Sequence, residues 1–248
     1  MRLLTLPTPA AVAAAAADLL AEVVAREPRA RVILPAGKTP LALYAELLRR
    51  ARTGELPLDG VRFFQLDEYL GPGPSDARSF HALLRKELLD PLGRAPGHDA
   101  LLDGSAADPA AEIARHARAL TTAGGAHVAF LGIGTNGHVA FNEPGTRRDD
   151  GARVVPLAAA TRAVAAAEFA PDPAPTHGIT LGLAEIGAAR KIGLMATGAS
   201  KAAILAALLE QPASTERPAS LLGDHADFTL FADTAAAAGR RHRTAGPS

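Results

Sequence analysis

The chain has 248 residues, and its 26 lysine and arginine residues balance 26 aspartate and glutamate residues. A balanced charge gives no overall field that would attract nucleic acid or an anionic membrane, so we expect a small-molecule partner. Cysteine is absent, which excludes disulfides, thiolate nucleophiles and cysteine-based zinc sites and fits a cytoplasmic protein.

No segment is typical of a targeted or membrane protein. The first nine residues, MRLLTLPTP, have one basic residue and no long apolar core, so we expect no signal peptide. No run of about 18 uninterrupted apolar residues occurs, so we expect no membrane span. We predict a single α/β catalytic domain over residues 1–240 and a flexible tail over residues 241–248.

Short apolar runs alternate along the chain with segments of helical periodicity. The runs predicted as strands begin at Arg2, Arg31, Val61, Ala126, Lys191 and Asp227. The predicted helices cover residues 11–26, 40–52, 80–89, 110–120, 161–169 and 201–210. This alternation predicts a three-layer α/β fold, with a mostly parallel twisted sheet and helices on both faces. Ligands of such sheets bind beyond the carboxyl ends of the strands, so the loops there are the candidate site.

The loop after the second predicted strand, LPAGKTP, is a candidate phosphate cradle. Gly37 permits close approach of the backbone to an anion, Thr39 is predicted to cap the next helix, and Pro40 suits its first position. Lys38 and Thr39 also occur in nucleotide P-loops, but that motif requires glycine where Val32 stands, so a P-loop is not expected. A capped turn that binds no ligand is the alternative.

The segment TGASK, after the fifth predicted strand, repeats this pattern. Gly198 closes the strand, Ser200 is predicted to cap a helix, and Lys201 adds a cation to its first turn. A lysine there opposes the helix dipole, so a bound anion would explain its position. The alternative is a lysine that extends into solvent.

Two acidic residues, Asp67 and Glu68, end the third predicted strand in the segment FFQLDEYLG. Neighbouring side chains of a strand point to opposite faces. One carboxylate is therefore expected to face a pocket, while the other packs or caps elsewhere. Acidic residues are also common in turns after strands, so an ordinary turn is the alternative.

The densest polar loop is GIGTNGHVAFNEPGT, after the fourth predicted strand. Its glycines, Gly132, Gly134 and Gly137, permit the close backbone approach that a pocket floor requires. Histidine is the residue type in this loop suited to proton transfer near neutral pH, and Glu143 could orient His138 and support its protonated form. No second histidine lies nearby for a metal site, and no GxSxG motif indicates a serine triad. A structural histidine is the alternative.

Four segments together indicate a family: LPAGKTPLALY, LDEYLG, GIGTNGHVAFNEPGT and TGASKA. Their order and spacing resemble those of glucosamine-6-phosphate deaminases, from the first strand to near the end of the chain. The related 6-phosphogluconolactonases share the fold, but typically have Ser-Leu-Phe-Pro after the histidine, where this chain has VAFNEP. The resemblance therefore favours the deaminase branch. It implies a Rossmann-like fold of the sugar-phosphate isomerase type and no metal or organic cofactor.

The resemblance also implies a reaction, the conversion of glucosamine 6-phosphate and water to fructose 6-phosphate and ammonia. His138, helped by Glu143 and Asn136, would open the sugar ring. Asp67 would move a proton from C2 to C1, and water would hydrolyse the resulting imine. The residues implied to bind the substrate or its phosphate are Gly37, Lys38, Thr39, Gly134, Gly137, Ala140 and Lys201.

Two positions depart from the family pattern. Some members have aspartate where this chain has Asn136, and an amide cannot relay a proton, so we expect Asn136 to orient His138 by hydrogen bonding. Ala167 stands where the family commonly has an arginine that binds phosphate. Lys38 could supply the missing charge, unless the substrate itself has changed.

Three other functions stay open: a lactone hydrolase, a deaminase for galactosamine 6-phosphate, and a sugar-phosphate sensor without turnover. A sensor has no use for Asp67 together with His138 and Glu143, and no helix-turn-helix precedes the first predicted strand. We expect no nucleic-acid or membrane partner. Association into a homo-oligomer stays open.

Overall fold

The computed structural model describes residues 1–239, so the tail predicted over 241–248 lies outside the described residues. Within residues 1–239 the strands are β1 (Arg2–Leu6), β2 (Arg31–Leu34), β3 (Arg62–Gln65), β4 (Asp67–Tyr69), β5 (Val128–Gly132), β6 (Arg153–Pro156), β7 (His177–Thr180), β8 (Lys191–Ala196) and β9 (Phe228–Asp233). The α-helices there are α1 (Pro9–Arg26), α2 (Leu41–Arg52), α3 (Phe80–Leu84), α4 (Pro109–Thr122), α5 (Ala159–Phe169), α6 (Leu183–Gly187), α7 (Ala202–Glu210) and α8 (Thr234–Ala237). A π-helical segment, Arg85–Leu89, continues α3, and 3-10 helices cover Ala199–Lys201 and Pro218–Leu222.

The main sheet of residues 1–239 has six parallel strands in the order β1-β9-β8-β5-β2-β3. Each of the apolar runs predicted as strands contributes one of them. The predicted α/β fold with a mostly parallel sheet is therefore confirmed. Parallel strands require crossover connections, and helices supply them here.

Helices cover both faces of the main sheet, because successive residues of each strand point to opposite sides. On one face Val32 and Phe130 pack with residues of α1, α2 and α3. On the other face Ile33 and Leu131 pack with residues of α4, α6 and α7. The strands are buried on both sides, which explains why their sequences are continuous apolar runs.

A second, smaller sheet was not predicted. It is antiparallel and has the order β4-β7-β6. A single residue, Leu66, separates β4 from β3 along the chain. The strands of this sheet have three or four residues each, too few for a clear alternating pattern. This sheet carries Asp67, so it determines where one of the predicted site residues lies.

The predicted helix caps are wrong in both candidate phosphate loops. Helix α2 begins at Leu41 with Pro40 in the capping position, and no described side chain caps it, so Thr39 is not its cap. Ser200 lies inside a 3-10 helix that follows Gly198, whose φ is 85°. The carboxylate of Asp233 accepts the Gly198 N–H at 3.0 Å, and no described side chain caps the helices that follow.

No helix within residues 1–239 combines the length and the apolar character that crossing a membrane requires.

Candidate active site

A cavity of about 330 Å³ opens beyond the carboxyl ends of β2, β3, β5 and β8, where the sequence predicted the site. The predicted site residues that line it are Gly37, Lys38, Thr39, Asp67, Gly134, Asn136, His138, Ala140 and Lys201. Gly137 and Glu143 are not part of its lining, as far as residues 1–239 define it. One cavity therefore brings together residues from four separate loops.

His138 contacts Glu143, as the sequence suggested. His138 Nδ1 lies 3.2 Å from Glu143 Oε2, which is an ion-pair contact and not a well-formed hydrogen bond. Burial raises the pKa of Glu143, but its contacts with His138, Thr161 and Asn136 outweigh burial and lower that pKa to about 2. Glu143 is therefore ionised at neutral pH and places a negative charge beside the imidazole of His138.

Asn136 links the backbone of His138 to Glu143. Its Oδ1 accepts the His138 N–H at 3.1 Å, as in an Asx turn, and its Nδ2 donates to Glu143 Oε2 at 3.0 Å. Both ends of the amide are thus used. An aspartate at this position would place a second negative charge beside Glu143.

The loop around His138 has an unusual backbone. Gly137 has φ = 87°, and its N–H donates to the Gly134 carbonyl at 3.0 Å. Ala140 has φ = 53°, a left-handed conformation that costs energy in a residue with a side chain. Ala140 lines the cavity, so this strained position belongs to the candidate site.

Asp67 and Glu68 point in opposite directions, as predicted. Asp67 lines the cavity although it is only 6% exposed. Burial raises its pKa, and the charge of Glu68 raises it further. Glu68 is fully buried and accepts the N–H of Phe80, the first residue of α3. The structure thus makes Asp67 the carboxylate that a ligand can reach.

Two cations, Lys38 and Lys201, line the cavity. Lys38 is exposed and Lys201 is half-buried, and desolvation lowers the pKa of Lys201. Within residues 1–239 neither ammonium group makes an ion pair with a side chain of the protein. Both are therefore free to pair with an anionic ligand.

A cluster of aromatic side chains at the cavity was not predicted from the sequence. The ring of Tyr69 lies 4.6 Å from that of Phe80, 5.2 Å from that of Phe141 and 5.5 Å from that of Phe169, measured between centroids. Tyr69, Phe80 and Phe141 also line the cavity. A signal was present, since Tyr69 follows Asp67 by two positions and so lies on the same face of β4.

Thr161 is a second residue that the sequence interpretation missed. Its hydroxyl donates to Glu143 Oε1, and it lines the cavity near the start of α5. Further residues of α5, Val164 and Glu168, also line the cavity. Helix α5 is thus connected directly to the carboxylate behind His138.

No group of three or more histidine, aspartate or glutamate side chains within residues 1–239 is arranged to hold a metal ion.

The fold and the cavity define the class of the protein: an α/β protein with a small-molecule site that combines carboxylates, an imidazole and free lysines. Residues 7–231 match the family described as glucosamine-6-phosphate isomerases/6-phosphogluconolactonase. The chain belongs to this family.

Curated relatives of the chain are named glucosamine-6-phosphate deaminases. A glucosamine-6-phosphate deaminase of Corynebacterium aurimucosum is 40% identical over 96% of this chain and 93% of its own length. One of Rhodococcus opacus is 39% identical over 96% and 92%. The solved structure of a monomeric glucosamine-6-phosphate deaminase superposes with a TM-score of 0.92 and 32% identity, covering 97% of this chain and all of the other. A 6-phosphogluconolactonase of Leishmania guyanensis, at 20% identity and a TM-score of 0.74 over 95% of this chain and 97% of its own, shares the fold.

Proposed function

We infer that this protein is an enzyme that isomerises and deaminates an amino sugar 6-phosphate, converting glucosamine 6-phosphate and water to fructose 6-phosphate and ammonia. Relatives named glucosamine-6-phosphate deaminase are 39% and 40% identical over nearly the whole chain. The observation that carries the inference is the cavity that holds Asp67 and His138 together, with Glu143 in contact with the imidazole.

Ring opening is the first step that the site can perform. The His138 imidazole takes the proton of the anomeric hydroxyl and delivers a proton to the ring oxygen as the bond from that oxygen to C1 breaks. Glu143 stabilises the imidazolium that forms between these two proton transfers. Asn136 holds the loop that carries the imidazole of His138. The product of this step is the open-chain aldehyde.

Proton transfer by Asp67 is the second step. The aldehyde acidifies the C2 proton, which Asp67 removes while the aldehyde oxygen gains a proton from the ammonium group at C2, and this gives a neutral enolamine. Asp67 then returns its proton to C1. The raised pKa of Asp67 makes the carboxylate a better base and lets it hold the proton between these events. The iminium left at C2 adds water and releases ammonia, which gives the ketose.

The phosphate is held by the two free cations. Lys201 is half-buried, so its attraction to an anion is screened less by water than that of a surface lysine. Lys38 lines the same cavity and provides the charge that an arginine at position 167 would otherwise supply. Gly37, with φ = 110°, lets the loop backbone approach the anion.

The experiment compares three substrates with the purified protein: glucosamine 6-phosphate, galactosamine 6-phosphate and 6-phosphogluconolactone. We expect ammonia and fructose 6-phosphate in equal amounts from the first. Release of ammonia from the galactosamine compound alone would move the assignment to the other epimer. Lactone hydrolysis without ammonia release would assign the protein to the lactonase branch, and binding without turnover would make it a sensor.

Two further expectations accompany this proposal. We propose a cytoplasmic location, on the ground that the chain has no cysteine and its relatives are named as metabolic enzymes. The oligomeric state stays open, and sedimentation of the purified full chain measures it.

A further inference from the structure

Glu68 of β4 is a buried carboxylate held entirely by hydrogen bonds. Its Oε1 accepts the N–H groups of Tyr69 and Phe80, both at 2.9 Å. Its Oε2 accepts the N–H of His81 at 2.7 Å and Gln65 Nε2 at 2.9 Å. No cation within residues 1–239 pairs with it. Peptide N–H groups and one side-chain amide therefore offset part of the cost of burying this charge.

The same network holds the backbone of Asp67. Gln65 Nε2 donates to the Asp67 carbonyl oxygen at 2.8 Å, while Gln65 Oε1 accepts the Leu102 N–H at 2.9 Å. Tyr69 follows Asp67 by two positions in β4, and its side chain lines the cavity with that of Asp67. The bonds of Glu68 and Gln65 thus fix the short strand on which the proposed base lies.

We propose that Glu68 is a positioning residue for proton transfer at Asp67: it fixes strand β4 against α3 and places a second buried carboxylate beside the proposed base. The inference rests on the proposed function, in which Asp67 carries the proton between C2 and C1.

The electrostatics of the pair agree with this geometry. Burial raises the pKa of Glu68 and its hydrogen bonds lower it in part, which leaves that pKa at about 7. The charge of Glu68 in turn raises the pKa of Asp67, in addition to the effect of burial. A base with a raised pKa accepts a carbon-bound proton more readily.

Other titratable groups surround the pair, and none replaces Glu68. Those on the elements packed around it are Tyr44, Tyr69, His81, His116 and Glu168. Those on the loops across the cavity are Lys38, His138, Glu143 and Lys201. Glu68 is the neighbouring carboxylate whose charge raises the pKa of Asp67, in addition to burial.

The test uses two variants of the full chain and a matched control. Glu68→Gln removes the charge, and Glu68→Asp keeps the charge but shortens the side chain. Glu112→Gln is the control, because Glu112 is a partly buried carboxylate that also accepts a backbone N–H, from Asp103 at 3.1 Å, and does not line the cavity. The pKa of Asp67 is followed by carbon NMR of labelled aspartate carboxyl groups and assigned with Asp67→Asn. Ammonia release gives kcat and its dependence on pH.

We expect Glu68→Gln to lower the pKa of Asp67, and the acidic limb of kcat/KM with it, by about one pH unit. We expect its kcat to fall about 10- to 100-fold, because the base is displaced. Glu68→Asp is expected to keep the pKa and lose kcat, which still tests positioning if Glu68→Gln does not fold. The control is expected to change neither quantity.

An unchanged Asp67 pKa in Glu68→Gln, or full kcat in Glu68→Asp, would overturn the inference. If the wild-type protein released no ammonia while the NMR shift occurred, the proposed function would fail and the electrostatic role of Glu68 would stand.

Discussion

Gly134 shows how tightly the loop confines His138. Its N–H donates to the His138 carbonyl at 2.9 Å, so the two residues close one turn. A Cβ on Gly134 would lie 2.5 Å from His138 Nδ1, whereas ordinary van der Waals contact begins at 3.4 Å. Gly134→Ala must therefore move the imidazole by about 1 Å, and a displacement of that size costs about 100-fold in rate. This loss equals about 2.7 kcal/mol of transition-state stabilisation.

The assay is ammonia release from glucosamine 6-phosphate at several substrate concentrations, with thermal unfolding as a check on folding. Gly187→Ala is the matched control, since Gly187 ends α6, does not line the cavity, and a Cβ there would meet Leu222 Cδ2 at 3.6 Å, an ordinary contact. Neither glycine has a positive φ, so alanine suits both backbones. We expect kcat of Gly134→Ala to fall about 100-fold and that of Gly187→Ala to stay within about threefold. Equal rates for the two variants would refute the claim that turnover depends on the position of the imidazole.

Three further predictions concern the surroundings of His138 and the cations. Thr161→Val removes a hydrogen bond to the ionised carboxylate of Glu143 and is expected to lower kcat about tenfold. An unchanged kcat would show that this contact from α5 does not contribute to catalysis. The folded-state pKa of Glu143 is about 2, below its usual value. The ionised carboxylate therefore stabilises the folded protein fully above about pH 4.5, and this stabilisation is lost as pH falls towards 2. In urea unfolding, Glu143→Gln should lose less stability than wild type across this pH window, and an equal loss would contradict the ion pair. Lys201→Met is expected to raise KM for the sugar phosphate at least about tenfold, with a smaller change in kcat; an unchanged KM would exclude Lys201 as a phosphate ligand.

The main sheet was predictable because its strands are buried on both faces. Runs such as that of β5, in which Phe130 and Leu131 pack on opposite sides, give an apolar signal in the sequence itself. The smaller sheet gave no such signal. Asp67 of β4 pairs with Thr180 of β7, and this pairing depends on the fold that brings two distant segments of the chain together.

The candidate site was predictable where function depends on residue type and spacing. The contact of His138 with Glu143 and the opposite directions of Asp67 and Glu68 both follow from local geometry. Thr161 was not predictable, because it lies in an alanine-rich helix, 18 positions from the carboxylate that it contacts. A distant carboxylate also accounts for the loop at Gly198, where Asp233 accepts the Gly198 N–H, a contact that the local sequence does not reveal.

The most direct test of the central claim is to compare wild type with Asp67→Asn for both turnover and binding of glucosamine 6-phosphate. The account predicts that wild type releases ammonia, while the variant binds the sugar phosphate by calorimetry and releases ammonia at least about 10²-fold more slowly. Normal turnover by Asp67→Asn would show that another group moves the proton, and would contradict the assignment of the pocket carboxylate as the base.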